Sequence, residues 1–319
     1  LRHHPSLPNS RHIPMFFRNL SLFRFPESTS KSLKNLEKQL DSRRLRACGP
    51  LELATRGFVS PYGRDGDELL HQTGAFSLVA IGTEERLLPG VVVAEELADR
   101  IARRGEKEAR RVGARERKRL KEEVISELLP RAFIRPSRLC AYLDTADGWF
   151  VIDSASRKAA EDAVGELRTS LGRFPATPMA AEESPRALMT DWLIGGKLPD
   201  GLALGEECEL RDPAQAGAVV RCRRQDLESD EVREHLKSGK QAFQLGLVFD
   251  DRMSFVLGED LVVRKLKFLD VVLDDLGEDT AASARAELEA GFALMTLELR
   301  NLLGHLETWF GLPRPRDRD

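Results

Sequence analysis

The chain has 319 residues, of which 41% are hydrophobic and 32% are charged, and its formal net charge is −3. This length and composition are typical of a folded protein of one or two domains and exclude a disordered acidic tail. No apolar run reaches the roughly 18 residues that a membrane span requires. The four cysteines lack metal-ligand spacing and predict free thiols in a reducing compartment, without zinc or disulfides. They are Cys48, Cys140, Cys208 and Cys222.

Residues 1–14 contain three of the six histidines and lack the apolar segment of a signal peptide. We expect them to form a disordered extension outside the folded chain. The remainder divides into an N-terminal α+β part over 15–89, a helical part over 90–133, and a central and C-terminal α+β part over 134–319.

The first predicted element is a strand over 16–25, where apolar and polar residues alternate. Ser30 is placed to cap the start of a short helix that carries regularly spaced leucines. After a loop rich in glycine and proline, residues 76–88 predict a hairpin. A long helix follows and should end or kink at Pro130, because proline cannot donate the next helical hydrogen bond.

Beyond Pro130 the pattern alternates between strands and helices, and the Asp147-Gly148 pair predicts a tight turn. The predicted elements are a hairpin of 139–143 and 149–152, helices over 157–171, 185–194 and 230–237, a strand over 218–223, a hairpin of 242–249 and 253–257, a strand over 261–268, and a closing helix over 281–310. A hairpin followed by a helix occurs three times, so we predict an α+β fold built from hairpin-plus-helix units.

The most unusual segment is the run over 100–121, which contains 11 of the 49 Lys and Arg residues but only 3 of the 52 acids. As one helix of about 33 Å, it would carry positive charge along one face and few apolar residues to bury. Three glutamates are too few to neutralise this face through pairs four residues apart. The run therefore indicates contact with a polyanion. The residues predicted on or beside this face are Arg100, Arg103, Arg104, Lys107, Arg110, Arg111, Arg115 and Lys118.

The alternative interpretation of this run is a solvated surface helix, which charge runs usually form. The confinement of the charges to one face and the acidic remainder of the chain give the polyanion contact equal support. Gly105 and Gly113 each lower the helical propensity, so an interruption of the helix at either residue stays open.

A second basic set is predicted around the strand over 218–223. Arg221 and Arg223 should project from one face of it, because side chains alternate along a strand, and Arg224 and Gln225 mark its end. Such charges alone are typical of any protein surface, but with the basic helix they favour a concave site for phosphates. The other members of the set are Lys237, Lys240, Arg264, Lys265 and Lys267.

No motif supports enzyme chemistry. A phosphate-binding loop needs G-x-x-x-x-G-K-[ST], and neither Gly196-Lys197 nor Gly239-Lys240 has the upstream glycine or the following Ser or Thr. A G-x-S-x-G nucleophile elbow is also absent. Grouped carboxylates could hold the metal of a nuclease, although aspartates at such positions usually form turns. These carboxylates are Asp144, Asp147, Asp153, Asp250, Asp251, Glu259 and Asp260.

Several segments resemble the bacterial recombination-associated RdgC family, in collinear order from about Met15 to the last predicted helix. The Leu-Leu-Pro-Arg-Ala-Phe segment is the most specific of them. The matching segments are Phe17-Arg18-Asn19-Leu20, Leu128-Leu129-Pro130-Arg131-Ala132-Phe133, Arg224-Gln225-Asp226-Leu227, Lys265-Leu266-Lys267-Phe268 and Leu294-Met295-Thr296 with Glu298-Leu299.

The resemblance implies a ring-shaped homodimer of two curved subunits that encircles DNA with little sequence preference and restrains strand exchange by RecA-type recombinases. It implies no catalysis, cofactor or metal. A projecting helical finger of the family corresponds to residues 90–133. The two ring-closing contacts correspond to Phe133 at one and to Arg224 and Gln225 at the other. Arg224 stands where some members resemble a lysine, which keeps the charge but changes the donor geometry.

The resulting hypothesis is a non-catalytic cytoplasmic, nucleoid-associated protein that occludes DNA and so modulates recombination and replication-fork repair. Its expected partners are double-stranded and also single-stranded DNA without sequence specificity, and a second copy of the chain, with antagonism of RecA and no membrane contact. Two alternatives stay open, a metal-dependent nuclease using the hairpin aspartates and a basic-surfaced scaffold for protein interactions. Beyond the basic helix, the expected DNA contacts are Arg131, Arg221, Arg223, Arg224, Gln225, Lys240, Lys265 and Lys267.

Overall fold

A computed structural model of the chain describes residues 16–64, 66–214, 217–274 and 283–316. Within these ranges the chain forms two antiparallel sheets and several helices, which confirms the predicted α+β class. The extension predicted over 1–14 lies outside the described residues. No helix within those ranges is long and apolar enough to cross a membrane.

The first sheet consists of β1 (Ser21–Arg24), β2 (Ala54–Val59), β3 (Leu70–Thr73), β4 (Phe76–Leu87), β5 (Phe133–Asp144), β6 (Trp149–Ile152) and β7 (Thr177–Pro178). Its order is β2-β4-β5-β6-β1-β7, and β3 pairs with β4. The 12-residue strands β4 and β5 pair along their whole length, from Phe76 opposite Asp144 to Leu87 opposite Phe133. At about 3.4 Å per residue, they separate two ends of the sheet by about 37 Å.

The second sheet consists of β8 (Leu202–Arg211), β9 (Val219–Arg223), β10 (Gln241–Phe249), β11 (Met253–Gly258) and β12 (Val263–Phe268). Its order is β12-β11-β10-β8-β9, with antiparallel pairing throughout. Four of these strands were predicted within two residues of their bounds. The strand β8 was not predicted, although it pairs with both β9 and β10.

The helices are α1 (Glu27–Ser32), α2 (Leu36–Asp41), α3 (Gly90–Glu108), α4 (Ala114–Leu128), α5 (Arg157–Leu171), α6 (Pro185–Ile194), α7 (Asp230–Lys237), α8 (Asp270–Asp274) and α9 (Ala284–Phe310), with 3₁₀ turns at Leu33–Asn35 and Leu129–Arg131. The predicted bounds of α5, α6 and α7 are confirmed. The first helix begins earlier than predicted, after Pro26, and Ser30 lies inside it.

The hairpin predicted over 76–88 is wrong, because Phe76–Leu87 form the single strand β4. Gly82 lies opposite Gly57 on one side and Arg138 on the other, and an added Cβ would lie 2.7 Å from the Val59 side chain. This glycine therefore permits close packing within a strand and does not form a turn. The actual hairpin joins β3 to β4, with Gly74 at φ 58°. In the third predicted unit, β12 follows the β10–β11 hairpin before the next helix, as the predicted strand over 261–268 indicated.

Two hydrophobic cores support the sheets. One core contains side chains from both sheets and from α9, including Tyr142 from β5, Leu245 from β10 and Phe292 from α9. The other lies on the opposite face of the first sheet, where α2 and α5 contribute Leu40 and Leu167. The first sheet is therefore buried on both faces, and α9 shares its core with the second sheet.

The segment that precedes β1 joins the two sheets through backbone hydrogen bonds. Leu20 and Val263 of β12 exchange N–H···O bonds of 2.8 and 3.0 Å, and the Leu266 N–H donates to the Arg18 carbonyl at 2.8 Å. The four-residue strand β1 then continues into the first sheet. Because one continuous backbone segment contacts both sheets, it fixes the position of β12 relative to β1.

An ion pair between the buried Asp144 and the partly exposed Arg300 ties α9 to the end of β5. The Asp144 carboxylate is 1% exposed and accepts two hydrogen bonds of 2.9 Å from Arg300 Nη2 and further bonds from the N–H groups of Ala146 and Asp147. We expect Asp144→Ala to lower the free energy of unfolding by about 3 kcal/mol, because it leaves these donors without their acceptor. Urea unfolding followed by circular dichroism measures the change.

The matched control is Arg157→Ala, which breaks an ion pair of 2.8 Å with Glu161 on the exposed surface of α5. Exposed pairs of this kind contribute about 0.5 kcal/mol or less. Equal losses from the two substitutions would contradict the role given to Asp144.

Candidate nucleic-acid interface

The basic run over 100–121 is divided between α3 and α4, which pack against each other. We call residues 90–128 the basic hairpin. Arg100 near the middle of α3 contacts Glu127 at the end of α4, so the two helices run antiparallel. The basic hairpin is inserted between β4 and β5, and both of its ends therefore lie at the same end of the first sheet.

The prediction of one continuous basic helix is wrong, because α3 ends before Ala109. This residue has φ 48°, its N–H donates to the Glu106 carbonyl, and the Arg110 N–H donates to the Gly105 carbonyl at 3.3 Å. These two bonds form a Schellman motif, which reverses the chain direction at the end of a helix. Gly113 then precedes the first turn of α4. The single stripe of about 33 Å is thus replaced by two shorter rows of charge.

Arg86 on β4 fixes the base of the basic hairpin. Its guanidinium donates to the carbonyl oxygens of Leu129 at 3.1 Å and Ala132 at 3.2 Å, where the chain returns to β5. It also donates to the Gly49 carbonyl at 3.1 Å. A cation at this position satisfies carbonyl groups that a helix end leaves without partners. Arg86 therefore has a structural role and is not available to a ligand.

Arg100, a predicted DNA contact, holds the two helices of the basic hairpin together. Its guanidinium lies 2.9 Å from Glu96 and 2.5 Å from Glu127, and its side chain is 22% exposed. Hydrogen bonds to Glu127 and then Glu96 raise the pKa of Arg100, and the same contact lowers the pKa of Glu127. Arg100 thus stabilises the hairpin and presents little free charge.

Arg104 and Arg110 are engaged by two glutamates near the tip of the basic hairpin. Arg104 lies 3.2 Å from Glu108 and 3.8 Å from Glu116. Arg110 pairs with both acids, at 2.9 Å from Glu116. The hydrogen bond from Arg104 lowers the pKa of Glu108, and the bond to Glu116 raises the pKa of Arg110. These two cations are therefore partly neutralised.

Most of the other cations of the basic hairpin are exposed and have no ion pair in the described part of the chain, but Arg119 pairs with Glu123 at 3.2 Å. Lys121 shares these properties but was left out of the predicted set, because it lies off the stripe of a single helix. Arg131, in the 3₁₀ turn after α4, is also exposed and unpaired. The exposed cations predicted on the hairpin are Arg103, Lys107, Arg111, Arg115 and Lys118.

Part of the second basic set is gathered on one face of the second sheet, namely Arg221, Arg223, Arg224, Lys265 and Lys267. Arg223 lies opposite Glu207 and Arg221 opposite Glu209 on neighbouring strands. Glu209 is buried and accepts hydrogen bonds of 2.6 Å from Arg221 and 2.7 Å from Arg211. Acids on this face therefore offset part of its positive charge.

An open groove of about 660 Å³ lies on this face, between β9 and β12. Arg223, Arg224, Lys265 and Lys267 line it. Lys265 pairs with Glu207, whereas the other three cations are exposed without an ion pair among the residues described. Arg224 has φ 53° at the end of β9, so the backbone turns there and directs the chain away from the strand. The face therefore retains free positive charge along the groove.

Two predicted contact residues lie apart from this groove. The Gln225 side chain donates to Glu231 at 2.7 Å, and the Lys240 ammonium donates to the Ser238 hydroxyl at 3.1 Å. Neither residue lines the groove. The structure therefore brings together only the strand-borne members of the second set.

An exposed apolar patch lies at the base of the basic hairpin. Phe133, the first residue of β5, is 84% exposed, and its cross-strand partner Leu87 is 42% exposed. Ile134 and Val91 are exposed as well. An exposed aromatic ring with apolar neighbours is typical of a surface that contacts another protein.

The carboxylates that a nuclease would need have structural roles. Asp153 accepts the N–H groups of two residues before β1 at 2.9 and 3.0 Å. Asp250 and Asp251 have φ values of 51° and 53° in the β10–β11 turn, and Asp260 pairs with Arg264 at 2.6 Å. Among the described residues, no group of three or more His, Cys, Asp or Glu is arranged to hold a metal ion. All four cysteines are free thiols.

Comparison with known proteins gives the family. Residues 15–312 match the family described as "Putative exonuclease, RdgC". The recombination-associated protein RdgC of Xanthomonas axonopodis pv. citri (strain 306) is 51% identical over 295 residues, which is 92% of this chain and 97% of that protein. Proteins of the same name from Xanthomonas campestris pv. campestris (strain B100) and Xylella fastidiosa (strain 9a5c) are 50% and 48% identical over 294 residues, with the same coverage.

This chain therefore belongs to the RdgC family, as the sequence resemblance indicated. The names of these relatives indicate an association with recombination and do not name an enzyme. The family description alone mentions an exonuclease.

The buried carboxylate of Glu209 leads to a prediction about pH. Burial opposes ionisation of this group, but the hydrogen bonds from Arg221 and Arg211 outweigh it and lower its pKa from the ordinary value of 4.5. The stabilisation is therefore complete above that value and is lost as the pH falls through the lowered pKa. We expect Glu209→Gln to lower the melting temperature at neutral pH and to reduce the further loss between about pH 5 and pH 3.

Thermal unfolding at several pH values measures this effect. Glu228→Gln, which removes an exposed acid after β9, is the control and should retain the acid-induced loss of the unsubstituted protein. An unchanged pH dependence in the Glu209 variant would contradict the assignment.

Proposed function

We propose that this protein is a non-catalytic, sequence-independent DNA-binding protein that acts in homologous recombination. One observation carries the proposal, the row of exposed cations on the basic hairpin that have no carboxylate partner among the described residues. The family supports a role in recombination through the names of its members.

The chemistry of this row favours the DNA backbone over the bases. Lys and Arg side chains displace counterions from phosphates, which gives binding that depends steeply on salt and little on sequence. The exposed cations of the basic hairpin alternate with other charged residues and small residues, and no aromatic residue lies between 100 and 121. Stacking on bases, the usual means of binding single strands, therefore has no support there. We infer that duplex DNA is held at least as well as single strands.

The groove on the second sheet is the second proposed DNA contact. Arg223, Arg224 and Lys267 supply its free charge, and Arg221 and Lys265 are partly offset by Glu209 and Glu207. Lys240 and Gln225 lie outside this groove, so we retain them only as peripheral contacts. Arg131 extends the hairpin surface towards the first sheet.

We further propose that the chain acts as a homodimer that encloses the DNA. Phe133 and its apolar neighbours would form one contact, because burying an aromatic ring that is 84% exposed contributes favourably to association. Arg224 and Gln225 would contribute to a second, different contact. Two such contacts close two curved subunits into a ring without producing an open filament.

The proposed mechanism is occlusion of DNA. A ring that covers the duplex competes with recombinase filaments of the RecA type for the same strands, so strand exchange and the processing of replication forks slow without any chemical step. The proposed location is the cytoplasm, in association with the nucleoid. The nuclease alternative is mentioned only by the family description, and no group of carboxylates among the described residues is arranged to hold its metal.

Reversal of charge on the hairpin tests the DNA contact. We expect Lys107→Glu, Arg111→Glu and Arg115→Glu together to weaken duplex binding many-fold at moderate salt. The slope of log affinity against log salt should fall by up to about 2.7, at about 0.9 per phosphate contact. Fluorescence anisotropy with labelled duplexes of two unrelated sequences measures both quantities.

The control for this triple variant is Lys34→Glu, Lys38→Glu and Lys158→Glu, which reverses the same amount of charge at exposed positions of the N-terminal helices and α5. Equal effects of the two triple variants would show that only net charge matters and would remove the hairpin from the interface. The duplex should remain intact after incubation with Mg²⁺ or Mn²⁺, and shortened strands would favour the nuclease.

Phe133→Ser tests the first dimer contact. We expect the variant to dissociate at a higher protein concentration than the unsubstituted chain, because the contact loses its largest apolar side chain. Sedimentation velocity over a dilution series gives the dissociation constant.

Leu297→Ser is the matched control for the dimer contact, because this leucine is 60% exposed on α9, away from the base of the hairpin. It should leave the dissociation constant unchanged. A Phe133 variant that sediments like the unsubstituted dimer at every concentration would rule out this contact.

A further inference from the structure

A second groove, of about 1230 Å³, lies at the other end of the first sheet from the basic hairpin. The turn after β5 places it there, because Arg314 at the groove donates to the Ala146 carbonyl at 3.0 Å, whereas the hairpin joins β5 at Phe133. Its walls are α1, the end of α5, β7 and residues 313–316. We call it the arginine groove, after the residues Arg24, Arg168, Arg173, Arg314 and Arg316 that line it.

The charge of this groove is of one sign. No aspartate or glutamate is among its described lining residues. Arg24 forms the buried floor, where Glu307 at 2.7 Å neutralises it and the Leu312 carbonyl accepts a further bond. The other four arginines have no carboxylate partner in the described chain. A recess lined by charges of one sign concentrates its field and attracts an ion of the opposite sign.

Arg314 is held in place by two backbone carbonyl groups. Its Nε donates to the Phe25 carbonyl at 3.2 Å, and its Nη1 donates to Ala146. Its Nη2 is buried against Gly148 and has no hydrogen-bond partner among the described residues. Neutral carbonyl groups orient this guanidinium without cancelling its charge. Arg168 is also oriented by a neutral group, since it donates to the Phe174 carbonyl at 3.3 Å. Arg173 and Arg316 are exposed.

We infer that the arginine groove binds the phosphodiester backbone of a single nucleic-acid strand, an inference that rests on the proposed DNA-binding function. The groove is larger than the roughly 300–1,000 Å³ of ordinary small-molecule pockets, so it accommodates a chain of phosphates. The groove is a recess between short segments of the chain. A flexible single strand can bend to follow it, whereas a duplex is stiff, with a persistence length of about 50 nm. No aromatic side chain lines it, so recognition is through phosphates and independent of sequence. The strand it binds is distinct from the duplex at the hairpin, about 37 Å away along β5.

Arg173→Glu with Arg316→Glu tests the inference, because both side chains are exposed and their replacement leaves the anchored Arg314 in place. We expect a many-fold loss of affinity for a short labelled oligothymidylate. The slope of log affinity against log salt should fall by about 1.4, at about 0.7 per phosphate contact with a single strand. Duplex binding by the same variant should stay close to that of the unsubstituted protein.

The control is Lys38→Glu with Lys158→Glu, which makes the same change in net charge outside both grooves. Single-strand affinity unchanged in the arginine-groove variant, or lowered equally in the control, would overturn the inference while leaving the proposed function intact. An unsubstituted protein that binds neither strand nor duplex would overturn the proposed function itself. Loss of duplex binding in the hairpin triple variant, with single-strand binding retained, would support two separate sites.

Discussion

The backbone pairing of Leu20 with Val263 is the interaction on which the arrangement of the molecule depends. It places the start of the folded chain against an edge strand of the second sheet, and β1 then enters the first sheet directly. With α9 packed into the core that both sheets share, the two sheets form one framework. Each basic surface is attached to this framework through a strand, so their separation is determined by packing and not by linkers.

The distribution of charge on the basic hairpin follows from what two helices need in order to pair. With few apolar residues available, the hairpin is held by ion pairs such as Arg100 with Glu127 as well as by buried Leu120 and Val124. A glutamate that forms one of these pairs is not available to other cations. Several Lys and Arg residues of the hairpin therefore have no carboxylate partner in the described chain. The same shortage of apolar residues thus explains both the internal pairs and the exposed positive row.

Much of the fold has a local signal in the sequence, and the rest depends on distant partners. The amphipathic pattern gave α5 and α7 their bounds, and Asp147-Gly148 located a hairpin. The strand β8 was not predicted, because its acidic residues Glu207 and Glu209 interrupt the apolar pattern. Their cationic partners follow only later in the chain. The residue types of the basic site were predictable, but their division into paired and free cations was not. The arginine groove unites residues from three distant segments, which no local pattern connects.

The hydrogen bonds from Arg86 to several carbonyl groups determine where the basic hairpin is anchored. One guanidinium joins β4 to the carbonyl groups that close the basic hairpin, and the adjacent strand β5 begins with the exposed Phe133. The basic hairpin is therefore held rigidly at its base, and this base lies beside the exposed aromatic side chain of Phe133. A force applied to the tip of the hairpin is transmitted to its base. A force along a bound polymer and a force at a contact between subunits would therefore act on the same few residues.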